Sequence, residues 1–463
     1  MYVEDTIVAP VTPPGTGAVA IIRLSGPQAI RILREIWRPI RPRATFRPHT
    51  LYLGEVINPA SGAIVDRALG VVMPAPQSLT GESVAELHCH GGAYLVRRVT
   101  ALAMAQGARM AEPGEFSRRA FLNGRLDLTA AEAIADLIAA RSDNALEQAI
   151  TQLGGALAER VGRLRANVIG IRAHLEAEID FADEDVDLPS RESIAASIAA
   201  LAADIRLLHD SFARGRLMRD GVRAAIVGKP NVGKSSLLNL LLGAERAIVS
   251  PLPGTTRDVI EDSISLGPYV LVLQDTAGVR DGAEEVERIG VERTLKHAAE
   301  AELVLAVFDS SRALEAEDLR VIELCRGRRG VALLNKRDLP PALGCESLRE
   351  IAMPVLPFSA LKAEGVEALR NELTSAVEEL AGQGSGLGAA NGGIAISRER
   401  HRQALGTALE ALENACRGAL SAVPPELIAV DVGIAADALG VITGVVGTED
   451  VLDAIFRQFC IGK

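Results

Sequence analysis

The sequence predicts a chain that is α/β in part and all-α in part. A small N-terminal α/β domain comes first, and a helical domain interrupted by an inserted α/β module follows it. Three observations lead to this prediction. Short apolar runs punctuated by Pro and Gly fill the first 125 residues. Long stretches with apolar residues at helical spacing lie on both sides of the inserted module. Inside the module, a glycine-rich loop joins an apolar strand to a helix.

The composition is that of a globular chain with sizeable cores. It has 463 residues, enough for about three domains, and 48% of them are hydrophobic. The net charge of -11 argues against broad binding to polyanions, although the first fifty residues carry seven Arg against three acids. The five cysteines are odd in number, which predicts reduced thiols. With no signal peptide and no apolar run long enough to span a membrane, we expect a soluble cytoplasmic protein.

The N-terminal domain is assigned to residues 1–125. Residues 18–23 and 70–73 are predicted to be strands, and residues 27–36 a helix. The pattern of this domain alone does not indicate what it binds.

The first half of the helical domain is assigned to residues 126–216. Thr129 and Glu132 are predicted to form a capping box, with Thr129 as the N-cap. Apolar residues recur at helical spacing over 157–175, and Ser190 is predicted to cap a helix that runs to about Arg214.

The second half of the helical domain is assigned to residues 381–463. It begins with a Gly-rich linker over 382–393 and continues with predicted helices at 397–420, 426–439 and 448–459. We therefore infer one helical domain divided by a module at 217–380. Two separate helical domains remain the alternative.

The loop at 228–235 reads Gly-Lys-Pro-Asn-Val-Gly-Lys-Ser and fits the phosphate-binding pattern G-x-x-x-x-G-K-[ST]. It follows an apolar run at 224–227 and precedes a run of good helix formers. Gly233 allows backbone N–H groups to close around phosphate oxygens. Lys234 is expected to contact the β- and γ-phosphates, and the Ser235 hydroxyl to ligate Mg²⁺.

Three later motifs, each at a predicted strand end, add to the loop. Asp275 and Gly278 fit the magnesium shell and the approach to the γ-phosphate. Asp338, in the motif Asn335-Lys336-Arg337-Asp338, offers a carboxylate that accepts hydrogen bonds from the two adjacent donors of guanine. Ser359-Ala360 fits a loop that supports the base. Four such motifs in this order identify a GTPase with a Ras-like P-loop G domain.

The chain resembles the MnmE (TrmE) family of tRNA-modification GTPases along its whole length. The resemblance depends most on the two ends of the chain. Its markers are Asp5-Thr6-Ile7-Val8-Ala9, Thr12-Pro13-Pro14-Gly15, Pro113-Gly114-Glu115-Phe116-Ser117, Arg119-Ala120-Phe121-Leu122-Asn123, Leu126-Asp127-Leu128, Asp180-Phe181, Gly254-Thr255-Thr256-Arg257-Asp258 and Cys460-Ile461-Gly462-Lys463.

The resemblance implies a homodimer joined through N-terminal domains that resemble folate-binding domains. It also implies a heterotetramer with the flavoprotein MnmG, and tRNA as the substrate. The pair installs a (carboxymethyl)aminomethyl group at carbon 5 of the wobble uridine, with a tetrahydrofolate (5-formyl or 5,10-methylene form) as the one-carbon donor. Folate contacts are implied for Arg23, Glu86, Arg125 and Lys463. Because this position is usually lysine in the family, the planar guanidinium group of Arg125 replaces the compact ammonium group of a lysine there.

The resemblance also implies that K⁺ assists hydrolysis. Val279 follows Gly278, and an apolar side chain cannot orient the attacking water as a glutamine does in many GTPases. In the family, K⁺ at the interface of two G domains takes the place of an arginine finger. The implied K⁺ ligands are Asn231, Ser250, Leu252 and Thr255.

Glu287 matches the family glutamate that positions the attacking water. Arg257 and Arg280 are alternative sources of a finger, and Cys460 is implied as a functional thiol. The residues assigned catalytic roles are Glu287, Asn231, Lys234 and Cys460. Those assigned to Mg²⁺ are Ser235, Thr256 and Asp275. Those assigned to GTP are Asn231, Gly233, Lys234, Ser235, Ser236, Ser250, Thr255, Thr256, Asp275, Gly278, Asn335, Lys336, Asp338, Ser359 and Ala360.

Three other functions stay open. One is an RNA-binding GTPase of ribosome assembly, and another is a switch in which GTP only gates the binding of a partner. The third is a GTP-gated, folate-dependent aminomethyltransferase. His88-Cys89-His90 also suggests a metal site, although no further ligands follow at zinc-like spacing.

Overall fold

The computed structural model describes residues 5–41, 45–181, 189–244, 262–267, 269–274, 300–381, 394–421, 423–447, 449–457, 459 and 461–462. Among these residues, no helix is long and apolar enough to cross a membrane.

A seven-stranded sheet with two helices on one face forms the N-terminal part. Its elements are β1 (Ile7–Pro10), β2 (Gly17–Ser25), α1 (Ala29–Ile36), β3 (Trp37–Pro39), β4 (Tyr52–Ile57), β5 (Ile64–Met73), β6 (Val84–Gly91), α2 (Ala93–Ala105) and β7 (Arg109–Met110). The strand order is β3-β4-β5-β6-β2-β1-β7. All neighbours are antiparallel except β1 and β7. The predicted strand at 18–23 and the predicted helix at 27–36 are confirmed within two residues at their ends. The predicted strand at 70–73 is the last part of a longer strand, β5, which begins at Ile64.

Alternation along β2 decides which side chains can form a site. Ile22 and Leu24 are fully buried in the core under α1 and α2. Because successive side chains of a strand point to opposite faces, Arg23 lies on the other face of the sheet. Its register partner on β6 is Glu86, so the two side chains stand side by side.

Helices from both sides of the inserted module share one hydrophobic core. After α3 (Glu115–Leu122), they are α4 (Leu128–Ala139), α5 (Asp143–Leu153), α6 (Ala156–Asp180), α7 (Arg191–Asp210) and α8 (Phe212–Asp220). Beyond the module come three more, which are numbered here α12 (Glu399–Leu420), α13 (Pro425–Thr443) and α14 (Glu449–Phe456). One cluster combines the apolar stripe of 157–175 and α7 with residues of α12 and α13.

The predicted capping box at Thr129 is wrong. The N-cap of α4 is Asp127, whose side chain accepts a hydrogen bond from the backbone N–H of Ala130. Glu132 therefore lies too far into the helix to reach back to the cap. It is buried and paired with Arg400 of α12 instead. The predicted cap of α7 is confirmed, because Ser190 accepts from the N–H of Ser193.

The inserted module is a six-stranded sheet with helices on both faces. Its elements are β8 (Val222–Val227), α9 (Lys234–Ala244), β9 (Asp262–Leu266), β10 (Tyr269–Gln274), β11 (Leu303–Asp309), α10 (Ala316–Cys325), β12 (Gly330–Asn335), β13 (Val355–Pro357) and α11 (Val366–Leu380). The order is β13-β12-β11-β8-β10-β9, and only β9 is antiparallel to its neighbour. The predicted fold class is confirmed, while the domain boundaries remain predictions.

The chain leaves and re-enters the helical domain at adjacent positions. Gly215, on the way out, lies so close to the returning chain that a Cβ would be 2.2 Å from the carbonyl oxygen of Ile396. The N–H of Ile396 donates to Ser211 Oγ at 3.1 Å. Gln148 and Gln152 of α5 both donate to the carbonyl of Ala395. The outgoing and the returning segments of the chain are therefore joined by direct contacts.

Candidate functional site

Parallel strands bring the predicted motifs to one edge of the inserted sheet. The loop 228–235 follows β8, Asp309 ends β11, Asn335 ends β12, and Ser359 comes two residues after β13. Because the carboxyl ends of parallel strands meet at the same edge, these groups converge there. The position of Asp275, which directly follows β10, lies outside the described residues.

The shape of the phosphate loop depends on two glycines at positions where no other residue would fit. Gly228 has φ +154°, and a Cβ there would lie 2.4 Å from the Val307 carbonyl oxygen. Gly233 has φ +103°, and its Cβ would lie 2.2 Å from Asn335 Nδ2. Asn231 is also left-handed, with φ 60°, a conformation that asparagine adopts more readily than most residues. The loop is therefore closed tightly, as a phosphate cradle requires.

Lys234 spans this loop from the first turn of α9. Its ammonium group donates to the carbonyl oxygens of Gly228 and Lys229 at 2.7 and 2.9 Å. Ser235 and Ser236 follow on the same turn and are exposed. The helix N-terminus and the ammonium group thus lie at the loop, and together with the two exposed serines they favour an anionic ligand.

An ion pair that the sequence did not reveal ties the loop to α10. Lys229 Nζ lies 2.8 Å from Asp318 Oδ2 and 3.2 Å from Glu315 Oε2. Asp318 is buried, and its carboxylate also accepts from the Glu315 N–H at the start of α10. The hydrogen bond to Asp318 raises the pKa of Lys229 above its usual value. Residue 229 is a variable position of the loop pattern, so only the fold shows this role.

Asn335 joins two of the predicted motifs. Its Nδ2 donates to the carbonyl of Val232 at 2.7 Å, and its Oδ1 accepts from the N–H of Ala360 at 2.9 Å. The side chain is 2% exposed, so it acts as a buried bridge between the phosphate loop and the loop after β13. The bridge uses one N–H of the Asn335 amide and one lone pair of its oxygen.

Asp338 lies at the surface and is oriented by Ser359. The Ser359 hydroxyl donates to Asp338 Oδ1 at 2.6 Å, and this hydrogen bond lowers the pKa of Asp338 below its ordinary value. The carboxylate is thus ionised and accepts only. Two neighbouring N–H donors, such as those on one edge of guanine, match it.

Lys336 is fixed beside the same edge by Asp309. The ammonium group lies 2.7 Å from Asp309 Oδ2. Burial would raise the pKa of Asp309, but the hydrogen bonds from Lys336 and Ser311 outweigh it and lower the pKa. Asp309 was not singled out from the sequence, although its place at the end of a fully buried strand was a usable signal.

A second polar site lies on the exposed face of the N-terminal sheet. Arg23 Nε donates to Glu86 Oε1 at 2.7 Å, and Glu86 Oε2 lies 3.1 Å from His88 Nε2. The Arg23 guanidinium also lies 5.7 Å from the centroid of the Phe116 ring. The structure thus brings Arg23 and Glu86 together, with His88 as an unforeseen neighbour. Arg125 lies with its stem against Gly81.

The C-terminal segment packs on this same domain. Ile461 forms a bridge with Pro113. A Cβ at Gly462 would lie 2.3 Å from the carbonyl oxygen of Pro10, and Pro10 pairs with Ile22, the neighbour of Arg23. The two residues that follow the Cys460 position are thereby attached to the N-terminal domain of their own chain.

The metal interpretation of His88-Cys89-His90 finds no support. Cys89 is 2% exposed and lies in the core under α1 and α2, whereas His88 is on the opposite face with Glu86. Burial also raises the pKa of the Cys89 thiol to about 11. No cluster of three potential metal ligands occurs among the described residues.

Several predicted site residues lie outside the described part of the chain. They are Ser250, Leu252, Thr255, Arg257, Thr256, Asp275, Gly278, Val279, Arg280, Glu287, Cys460 and Lys463.

Comparisons with known proteins identify the family. Residues 6–125 match the family model described as the N-terminus of the GTP-binding protein TrmE, and residues 128–460 match the MnmE helical domain. The chain belongs to the MnmE family. Its membership confirms the resemblance seen in the sequence, and the enzyme is a GTPase that binds GTP.

Similar MnmE proteins cover the whole chain. The tRNA modification GTPase MnmE of Moorella thermoacetica is 46% identical, over 99% of this chain and 100% of that protein. The MnmE of Natranaerobius thermophilus is 42% identical, again over 99% and 100%. A solved structure, the G domain of the FeoB iron transporter of T. maritima, is 28% identical over 35% of this chain and 98% of that one, with a TM-score of 0.26.

Proposed function

We propose that this GTPase works with the flavoprotein MnmG to install the (carboxymethyl)aminomethyl group at carbon 5 of the wobble uridine of certain tRNAs. Its relatives of equal length are named tRNA modification GTPases. The observation that carries the proposal is the docking of Ile461 and Gly462 beside the β1–β2 pair that presents Arg23. One chain thus combines a guanine-nucleotide edge with a second polar site close to its C-terminal motif. Its place of action is the cytoplasm.

The second site is proposed to hold the tetrahydrofolate donor. A folate carries both an anionic tail and a polar ring, so a half-buried arginine–carboxylate pair suits it. Arg23 and Glu86 supply that pair, and their side chains are only 21% and 12% exposed. Arg125 and Lys463 are the further proposed contacts, and Cys460 is the proposed thiol.

A homodimer through the N-terminal domains fits the exposed face of the sheet. Leu53 and Leu69 are paired across β4 and β5, and Leu69 is the register partner of His88. Leu53 is 53% exposed and Val19 on β2 is 57% exposed. Exposed apolar side chains on a sheet face are typical of a surface that a partner covers. It adjoins the Arg23–Glu86 pair, which would place the folate near the dimer axis.

Hydrolysis is proposed to need Mg²⁺ and K⁺. The exposed Ser235 hydroxyl suits Mg²⁺, together with Thr256 and Asp275. The amide oxygen of Asn231 suits K⁺, together with Ser250, Leu252 and Thr255, because hard cations prefer oxygen ligands. A bound K⁺ would supply positive charge against the charge that develops on the phosphates. Lys234 would hold the phosphates, and Glu287 would position the attacking water.

The test is reconstitution with purified chain, MnmG, tRNA, a tetrahydrofolate donor and GTP in KCl or in NaCl. Both the modification of the wobble uridine and the release of phosphate from GTP are measured. We expect both to be faster in KCl, and we expect Asn231→Ala to lose that difference. Asn239→Ala, at an exposed position on α9, should keep it. Equal rates in the two salts would refute the role of K⁺.

Omitting one component at a time tests the remaining parts. Modification that persists without MnmG would show that the chain is itself an aminomethyltransferase. Fast hydrolysis without any modification of tRNA would refute the proposed reaction while leaving the GTPase intact.

A further inference from the structure

Positive charge is concentrated in the N-terminal domain of a chain that is acidic as a whole. Residues 1–125 contain fourteen arginines, no lysine and nine Asp and Glu. The rest of the chain has 35 basic residues against 51 acidic ones. A domain of opposite sign to the remainder of its chain marks a local site for an anionic partner.

Four of these fourteen arginines lie on the outer side of α1 and α2. These helices bury Ile32, Leu33, Val99 and Leu102 against the sheet. Their solvent sides carry an arginine face, which is defined here as Arg31, Arg34, Arg97 and Arg98. All four of these residues are exposed. The face lies on the opposite side of the sheet from Arg23 and Glu86.

The two helices are held together so that their arginines form one surface. Arg31 extends from α1 and donates to the carbonyl oxygen of Gln106 at the end of α2, at 2.9 Å. The Arg34 guanidinium lies 5.7 Å from the centroid of the Phe46 ring, which fixes its stem. The arginine face is therefore a shared and partly preorganised surface.

The charge of this face is not neutralised by neighbours. Within the described residues, no carboxylate forms an ion pair with Arg34, Arg97 or Arg98. Glu35 is the one acidic residue in α1, and α2 has none. By contrast, several exposed arginines of the helical domain are paired with a carboxylate within or between helices, as are Arg163 with Glu159, Arg172 with Glu176, and Arg206 with Glu413. Arginines without such pairs keep their donors for an external acceptor.

The chemistry of the face matches RNA. Guanidinium groups bind phosphates through two parallel hydrogen bonds. Tyr94 is 75% exposed and lies one turn before Arg97 and Arg98 on α2. An exposed ring among arginines offers a base a surface to stack on. An acidic protein surface would match the charge but would leave the ring without this use.

We propose that the arginine face binds the sugar-phosphate backbone of the substrate tRNA. This inference rests on the proposed function, in which tRNA is the substrate. Because the face is on the far side of the sheet from Arg23 and Glu86, it contacts a part of the RNA away from the base being modified. Its role is to hold the RNA in place, and the reaction occurs on the other face.

The experiment compares tRNA binding by the full chain with that of two double variants of equal charge change. Arg97→Gln with Arg98→Gln alters the face, and Arg163→Gln with Arg206→Gln is the control on the helical domain. Binding of fluorescent tRNA is followed by anisotropy between 50 and 200 mM KCl. GTP hydrolysis without RNA checks folding, because none of these residues belongs to the nucleotide site.

We expect the face variant to bind about tenfold or more weakly. Its plot of log affinity against log salt should be shallower by roughly 1.5, since each lost phosphate contact removes about 0.7–0.9 from the slope. The control should stay within about twofold of the unaltered chain. Tyr94→Ala should also weaken binding, and Tyr94→Phe should not, because the ring is what stacks.

Unchanged tRNA affinity in the face variant would overturn the inference, as would an equal loss in the control. Loss of MnmG binding with tRNA affinity intact would also overturn it and would assign the face to a protein partner. The two proposals fail separately. If tRNA binds through this face but is not modified, the inference stands and the proposed function falls. If modification proceeds and the face variant binds normally, the opposite holds.

Discussion

Glu132 should stabilise the junction between the two halves of the helical domain by several kcal/mol. The carboxylate is 2% exposed and lies 3.0 Å from Arg400 Nη2 and 2.9 Å from His401 Nε2, with Arg398 at 3.8 Å. Burial alone would raise the pKa of Glu132, but the hydrogen bond from His401 and the charges of Arg400 and Arg398 outweigh it and lower the pKa to about 2.

The size of this contribution follows from the pKa. A fall from 4.5 to about 2 corresponds to about 3 kcal/mol in favour of the folded state, at about 1.4 kcal/mol per unit. Glu132→Gln removes that charge and leaves two half-buried arginines without it, which typically costs a similar amount. The fully buried His401 has a lowered pKa and is neutral at pH 7, since burial disfavours its charged form. Its Nε2 lies within hydrogen-bonding distance of both the Glu132 carboxylate and Arg400 Nη2.

The assay is hydrogen exchange of the backbone amides in α4 and the first turns of α12. Glu132→Gln should lower the free energy of local opening by about 3 kcal/mol and speed exchange about a hundredfold. Glu159→Gln, which breaks a pair whose side chains are 70% and 57% exposed, should change it by less than about 0.5 kcal/mol.

The pH dependence gives a second check. Because the folded pKa of Glu132 lies below the unfolded value, its contribution is present above about pH 4.5 and is lost as the pH falls towards 2. The gap between Glu132→Gln and the unaltered chain should therefore narrow over that window. Equal effects of Glu132→Gln and Glu159→Gln at neutral pH would refute the reasoning.

Two further substitutions test contacts that only the fold reveals. Lys229→Met leaves the buried Asp318 without its cation, so it should weaken the binding of a fluorescent GDP about tenfold. Lys229→Arg keeps the charge and should bind normally. Unchanged affinity in the methionine variant would exclude an anchoring role for Lys229. Gly114→Ala puts a Cβ 2.4 Å from the Phe456 carbonyl oxygen at φ +69° and should loosen α14, seen as several-fold faster proteolysis near the C-terminus. Gly124→Ala, at φ +67° with no atom within 4 Å, carries the backbone strain alone, and equal cleavage of the two variants would contradict the packing argument.

The local sequence pattern was enough to predict the nucleotide-binding motifs at the carboxyl edge of the inserted sheet. The strand, loop and helix around 228–235 follow from neighbouring residues, and the later motifs follow from strand ends. The parallel order of the sheet then brings Asn335 and Ser359 towards the loop. The stripe at 157–175 was predictable in the same way, since its period alone places it in a core.

Contacts between distant residues were not predictable. Lys229 and Asp318 are 89 positions apart, and Glu132 and Arg400 are 268 apart. Nothing near Glu132 distinguished a buried partner of arginines from a helix-capping acid, so the capping prediction failed there. The Arg23–Glu86 pair was suggested by the family resemblance, and the register of β2 and β6 is the physical reason for their contact.

The contact between Gly215 and Ile396 gives the inserted G domain its entry and exit at a single point. Because its two connections are adjacent, the G domain could be removed and the ends of the helical domain joined by a bridge of only a few residues. Such an arrangement lets a whole domain be gained or lost without redesigning the host core. It also joins the outgoing and returning segments to α5, because Gln148 and Gln152 donate to the carbonyl of Ala395, the neighbour of Ile396.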